Sequence, residues 1–147
     1  MIFKTTTDTS SAIYSDALSI RKTIFIEEQH VDESLEIDEL EEFTLHIVGY
    51  LNDSPACTAR LYKKEDGDIK VQRVAVLKAY RNQGTGHLLM AKIEQIAKTD
   101  LQGKRLVLDS QDHAIPFYEK CQFTVQGDGF LDANIPHHFM QKEIDKR

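Results

Sequence analysis

The chain has 147 residues, which suits one domain, and 41% of them are hydrophobic, enough for an interior core. Its net charge of −6 argues against nucleic-acid binding, which depends on cationic contacts with phosphate. It has no run of about 18 apolar residues, no apolar secretory leader and only two cysteines, Cys57 and Cys121, so we expect a cytoplasmic protein without membrane contact.

The first predicted elements are a helix and an acidic segment. Apolar residues recur at helical spacing over Ala12–Glu27, and Ser10 or Ser11 can cap the start of this helix. Residues 27–42 then carry many acids and no Lys or Arg, and a short helical turn or ordered loop is expected at Asp32–Leu40. The acids form either a solvated face or a rim that attracts a cationic amine.

Three strands follow the acidic segment. They are predicted at Leu45–Leu51, Ala56–Tyr62 and Ile69–Leu77, and polar turns at Asn52–Pro55 and Glu65–Asp68 separate them. Short connections of this kind join antiparallel neighbours, so the pattern indicates a three-stranded meander.

The hydrophobic period then changes from two to 3.6 residues. A long helix is predicted from near Gly84, with Gly103 at its end, and the short buried strand Arg105–Leu108 comes next. A crossover helix between the third and fourth strands makes those two parallel, so the sheet is mixed. The last predicted elements are a helix at Ala114–Lys120 and strands at Phe123–Val125 and His138–Lys142.

A glycine-rich turn opens the long helix and indicates phosphate binding. N–H groups at a helix N-terminus lack intrahelical partners, and glycines permit a close approach to them. Arg81 adds a forked cation for the same oxygens. Leu89 replaces the third glycine of a Rossmann turn, and the Gly-Lys-Ser/Thr of a Walker loop is absent. A purely structural turn is the alternative. The segment is Arg81-Asn82-Gln83-Gly84-Thr85-Gly86-His87.

These residues resemble a known family. Arg81–Gly86 is similar to the Arg/Gln-x-x-Gly-x-Gly/Ala signature of the GNAT superfamily of acyl-CoA-dependent N-acetyltransferases, and Arg73–Val76 to the strand before it. Ala114–Lys120 resembles the Phe-Tyr helix of that family, whereas Phe25–Gln29 and Phe130–His138 resemble the ElaA/YjcF-like branch. The implied fold class is α/β, a mixed, mostly antiparallel twisted sheet with flanking helices and a splayed central parallel pair, in a single N-acetyltransferase domain over residues 1–147.

The resemblance implies a binding site for acetyl-CoA. The pyrophosphate would lie on the N–H groups of the turn, and the pantetheine arm would add along the preceding strand through main-chain groups. A bulge in that strand would aim an N–H near Val74 at the thioester carbonyl and stabilise an oxyanion. The expected coenzyme residues are Val74, Ala75, Val76, Arg81, Asn82, Gln83, Gly84, Thr85, Gly86, His87, Gln111 and Phe117.

The resemblance also implies the catalytic groups. Tyr118 matches the tyrosine acid of the family and would protonate the departing thiolate. Glu28 is the expected base for the amine, with a strand histidine (His46, His137 or His138) or a chain of waters as alternatives. The adjacent pair His137-His138 could suggest a metal site. Neighbouring residues of a strand point to opposite faces, however, and no carboxylate or thiol partner for the pair is evident in the sequence, so we expect no metal.

The expected activity is direct transfer of an acetyl group from acetyl-CoA to a primary amine, in a small molecule or peptide, within a ternary complex. The alternative is a non-catalytic acyl-CoA-binding or sensing module of the same fold. The oligomeric state is undecided; one alternative is a homodimer in which two copies pair through an exposed strand edge near the C-terminus. Two residues depart from the family pattern, because Gln122 and Asn134 replace glycines. We expect Cys121 to be a small buried apolar residue.

Overall fold

Seven strands form one mixed sheet in the computed structural model, which describes residues 1–144. The strands are β1 (Ile2–Thr6), β2 (Leu45–Leu51), β3 (Ser54–Lys63), β4 (Ile69–Val76), β5 (Arg105–Gln111), β6 (Thr124–Asp132) and β7 (Ile135–Glu143). Their order is β1-β2-β3-β4-β5-β7-β6, and every neighbouring pair is antiparallel except β4 and β5. The predicted mixed sheet with its parallel central pair is therefore confirmed.

Helices cover both faces of this sheet. They are α1 (Ala12–Arg21), α2 (Glu33–Glu36), α3 (Thr85–Thr99) and α4 (Ile115–Lys120). Ser11 caps α1 by accepting a hydrogen bond from the Tyr14 N–H at 3.2 Å, and α1 continues as a π-helix over Lys22–Glu28. No helix in residues 1–144 is long and apolar enough to cross a membrane.

Alternation along the strands produces a separate core on each face. On one face, α3 buries its Leu89–Ile93 stripe against Ile47, Leu61 and Leu106. On the other face, α1 packs Ala17, Ile20 and Ile24 against Val48 and Ala75. Burial of one such aliphatic side chain contributes about 1.5–3 kcal/mol, so both cores hold their helices firmly on the sheet.

The structure differs from the sequence prediction at both edges of the sheet. We did not predict β1, which pairs with β2 although its side chains are mostly exposed. Strand β6 is exposed throughout and longer than predicted, and β7 begins at Ile135 rather than His138. An edge strand buries little, so it leaves no clear hydrophobic alternation in the sequence.

The backbone at turns also differs in part. Helix α3 ends at Thr99, and Gln102 rather than Gly103 takes the left-handed conformation, at φ 52°. Gly103 is required for space, because a Cβ there would overlap the Ile69 side chain. Gln122 and Asn134 both have left-handed backbone, at φ 74° and 63°, so the family turn survives without glycine at either position.

Candidate active site

A cleft runs through the sheet where β4 and β5 diverge. The two strands pair only at Ile69 with Leu106 and at Lys70 with Val107. Beyond these residues the gap widens into a cavity of about 280 Å³. Side chains from both faces line it, among them Phe25, Gln29, Arg73, Val74, Ser110, Gln111 and Tyr118. Since β4 has no β5 partner along this gap, main-chain groups on that side are available to a ligand.

A bulge interrupts β4 at the cleft. Thr58 pairs with Ala75 and Arg60 with Gln72, so two residues of β4, Arg73 and Val74, lie opposite one residue of β3. Arg73 has left-handed backbone with φ 56°. A bulge redirects the peptide groups around it. This irregularity lies at the position where the resemblance implied an oxyanion donor near Val74.

The acidic segment is attached to the sheet by buried arginines. Glu41 binds Arg21 at 2.8 Å and Arg60 at 2.7 Å, and both arginine side chains are 1% exposed. Arg73 binds Glu36 at 2.7 Å. These pairs neutralise Glu36 and Glu41, so these two acids do not form a rim that attracts a cationic amine. We did not predict this cluster, because its arginines are spread over α1, β3 and β4.

Two glycines shape the turn before α3. Gly84 is the N-cap residue at φ 81°, and no heavy atom would lie within 4 Å of a Cβ placed on it. A Cβ at Gly86 would lie 2.9 Å from the Phe117 ring, so a side chain there would force this ring to move. Asn82 has left-handed backbone, and the Gln83 side chain donates to the Ala79 carbonyl at 2.9 Å. The first N–H groups of α3 have no partner within the helix and are the natural donors to an anion.

Two predicted site residues, Arg81 and Glu28, bind each other. The Arg81 guanidinium donates to both Glu28 carboxylate oxygens at 3.0 and 3.1 Å, and its Nε donates to the Val76 carbonyl at 2.9 Å. The hydrogen bonds from Arg81 hold the pKa of Glu28 below its usual range. Glu28 does not line the cleft among the described residues, although its neighbour Gln29 does. Both features disfavour Glu28 as a base in this state.

Tyr118 also lines the cleft. It is 8% exposed, and its ring packs edge-to-face against Phe117 and Phe123, with centroids 5.0 and 5.8 Å away. Burial raises the pKa of its phenol above the ordinary value, so the group stays protonated. Phe117 also contacts the His87 ring, with centroids 4.9 Å apart, and so connects α4 to the first turn of α3.

Gln111 contacts a residue that we had not singled out. Its side-chain amide donates to the side-chain amide oxygen (Oε1) of Gln29 at 2.7 Å, which links the end of β5 to the segment after the π-helix. π-helical turns are frequent at functional sites, but a single sequence does not reveal them. The cleft therefore has a polar bridge across one mouth.

The histidines considered as bases make structural contacts. His46 is fully buried, its Nε2 donates to the Glu41 carbonyl at 2.8 Å, and burial lowers its pKa. His137 donates to the Ile135 carbonyl, and His138 binds the Asp112 carboxylate at 2.7 Å. None of the three lines the cleft in the described structure. Residues 1–144 contain no cluster of three or more His, Cys, Asp or Glu that could hold a metal.

The fold and the cleft match one protein family. The model of the acetyltransferase (GNAT) domain matches residues 10–144, and the chain therefore belongs to this family. Membership supports an acyltransferase and agrees with the splayed parallel pair and the glycine turn.

Individual relatives confirm the resemblance to the ElaA/YjcF-like branch. YjcF of Bacillus subtilis (strain 168), described as an uncharacterized N-acetyltransferase, is 39% identical over 129 residues, covering 87% of this chain and 91% of YjcF. The crystal structure of Escherichia coli ElaA has a TM-score of 0.85 and 24% identity, covering 97% of this chain and 99% of ElaA. An aminoglycoside 6'-N-acetyltransferase complexed with coenzyme A shares the fold, with a TM-score of 0.77, 16% identity, and coverage of 100% and 99%.

Proposed function

We propose that this protein transfers an acetyl group from acetyl-CoA to a primary amine by direct attack within a ternary complex. The carrying observation is the cleft through the sheet, which is lined by residues of the β4 bulge and by Tyr118. The glycine turn of α3 follows β4 in the chain and would hold the phosphate end of the coenzyme.

Coenzyme binding has the strongest support. The N–H groups of residues 81–87 would hold the pyrophosphate, and the cleft-facing edge of Val74–Val76 would take the pantetheine amides. Gln111 would reach the same amides if its bond to Gln29 opened. Acetyl-CoA would supply the activated acyl group, and a protein of the same fold, an aminoglycoside 6'-N-acetyltransferase, has been crystallised with coenzyme A.

Two groups of the chain would serve the transfer. The Val74 N–H, next to the bulge, would donate to the carbonyl oxygen as negative charge develops on it. Tyr118 would donate its proton to the departing thiolate, whose pKa is about 8.5 if it is cysteine-like. The raised pKa of Tyr118 keeps this proton in place throughout the neutral range.

Removal of a proton from the amine is the least supported step. A lysine-like amine has a pKa of about 10.4 and must lose a proton before it attacks. We assign this step to Glu28 on one condition, that coenzyme phosphate competes with Glu28 for Arg81. Release of Glu28 would return its pKa toward the ordinary value and make it a better base. Proton transfer through waters is the alternative.

The acceptor is proposed only as a class, a primary amine of a small molecule or peptide. Asp109 lines the cleft but is paired with Lys70 at 3.2 Å, and Glu36 is paired with arginines. The pocket therefore has little unpaired negative charge, apart from Asp132 at its rim. Electrostatic attraction gives only weak support for a polyamine.

Thiol release with a panel of amines tests this proposal. The protein is incubated with acetyl-CoA and each amine, and free coenzyme A is followed with a thiol reagent. Amine-dependent release supports the transferase. Binding of acetyl-CoA without release for any amine would instead favour the non-catalytic acyl-CoA-binding module, and the absence of binding would contradict both.

A further inference from the structure

We propose that Arg73 is a positioning residue, which holds the β4 bulge in the geometry that acyl transfer requires through a chain of buried ion pairs ending on α1. This inference rests on the proposed function, since it assigns a task to a residue that lines the same cleft. It concerns the alignment of the bulge and not the binding of coenzyme.

The backbone of Arg73 is unusual for its place in the chain. Among the described non-glycine residues it is the one with positive φ inside a strand; the others with positive φ lie in turns and connections. Left-handed backbone is sterically unfavourable for a non-glycine residue, so it persists only where surrounding contacts enforce it. The contacts of Arg73 supply that enforcement.

The Arg73 side chain is held at several points of one short segment. Its Nε lies 2.7 Å from a Glu36 carboxylate oxygen and donates to the Glu36 carbonyl at 3.2 Å. Its Nη2 donates to the Leu35 carbonyl at 3.1 Å and to Asp38 at 3.4 Å. Main-chain and side-chain acceptors together fix both the position and the plane of the guanidinium.

This anchor is itself fixed by further buried pairs. Glu36 also binds Arg21 of α1 at 2.5 Å, and Arg21 continues to Glu41. Arg60 of β3 joins Glu41 to Asp38, so the cluster encloses the bulge from α1 and from the neighbouring strand. Loss of one partner in a buried pair leaves an uncompensated charge in the protein interior, so the anchor resists displacement.

The expected effect follows from the geometry required of an oxyanion donor. Loss of one such donor reduces kcat by about 10²–10³-fold, and a misplacement of about 1 Å costs about 10²-fold. Without its guanidinium contacts Arg73 can relax to ordinary strand backbone, which turns the following Val74 N–H. We therefore expect kcat to fall about 10²-fold while affinity for acetyl-CoA, fixed mainly at the distant α3 turn, stays nearly constant.

Three substitutions of Arg73 distinguish the effect of its side-chain contacts from the effect of its backbone preference. Arg73→Gln removes the ion pairs, and Arg73→Gly removes them too but allows positive φ freely. Both should lose kcat, whereas Arg73→Lys keeps a cation and should recover part of it. Arg105→Gln is the matched control, because Arg105 lies on the neighbouring strand β5 and pairs with Asp68 at 3.1 Å and Glu143 at 3.8 Å outside the cleft.

A second readout keeps the inference testable without turnover. In ¹⁵N-labelled protein, the Val74 amide resonance should shift in Glu36→Gln and stay unchanged in Arg105→Gln. Glu36→Gln removes the carboxylate partner of Arg73 at 2.7 Å and leaves the sequence around Val74 unaltered, so a shift reports a change in the geometry of the bulge. If Arg73→Gln unfolds, kcat is measured on Glu36→Gln instead. Wild-type protein without activity on any amine contradicts the proposed function, and the Val74 resonance still tests the anchoring. Unchanged kcat in Arg73→Gln, or an unchanged Val74 resonance in folded Glu36→Gln, overturns the inference.

Discussion

Replacement of Tyr118 by phenylalanine removes the proposed acid and little else. The phenol hydroxyl makes no hydrogen bond to any residue in the described part of the chain, and the ring keeps its packing against Phe117 and Phe123. We therefore expect the free energy of unfolding to change by less than about 1 kcal/mol and the Kd for acetyl-CoA to stay the same. The change is restricted to the proton that the hydroxyl carries.

The size of the kinetic loss follows from the leaving group. General acid catalysis contributes about 10²–10⁴-fold, and a thiolate with a pKa of about 8.5 departs without full protonation, so the lower end applies. We expect kcat for Tyr118→Phe to fall about 10²-fold, measured by thiol release at saturating acetyl-CoA. Tyr62→Phe on β3, outside the cleft, is the control. Wild-type kcat in Tyr118→Phe would refute the acid assignment.

Three further changes give distinct outcomes. Glu28→Gln frees Arg81 for the coenzyme and should raise the affinity for coenzyme A about two- to fivefold, which corresponds to the strength of a weak exposed ion pair, while kcat falls. Calorimetry measures the affinity and thiol release measures kcat. An unaltered affinity and kcat would exclude competition between Glu28 and the coenzyme for Arg81. Gly86→Glu should abolish coenzyme binding, since a side chain would meet the Phe117 ring. The third change concerns Glu41 and is tested by the free energy of unfolding in urea, measured as a function of pH. Burial raises the pKa of Glu41, but the hydrogen bond and charge of Arg21 lower it by more, and the resulting pKa is about 2. Its folded pKa lies below the unfolded value, so stability is present above about pH 4.5 and falls toward pH 2, less so in Glu41→Gln.

Most of the central fold could be predicted because its signals are local. Strand β2 was predicted at its observed bounds, and the helix beginning at Thr85 follows Gly84 as expected. The parallel pairing of β4 and β5 followed from the crossover helix between them. Edge strands β1 and β6 were missed or shortened because their exposed side chains do not alternate.

The candidate site could be predicted only where its residues are adjacent in the sequence. The turn at Gly84–Gly86 is contiguous, so its motif and its geometry appear together. Arg73, in the bulge, contacts Glu36, which lies 37 positions earlier in the chain. The pairing of Glu28 with Arg81 spans 53 positions. Such contacts are produced by the fold, and no periodicity within either segment records them.

Calorimetric titration with acetyl-CoA, performed on wild type, Gly86→Glu and Gln95→Glu, tests the central claim most directly. Gln95 is an exposed residue of the same helix, so its substitution adds the same charge away from the turn. The cleft and its glycine turn predict one acetyl-CoA per chain for wild type and Gln95→Glu, and no binding for Gly86→Glu. Equal binding by all three proteins, or none by wild type, would contradict the assignment of this cleft to acetyl-CoA.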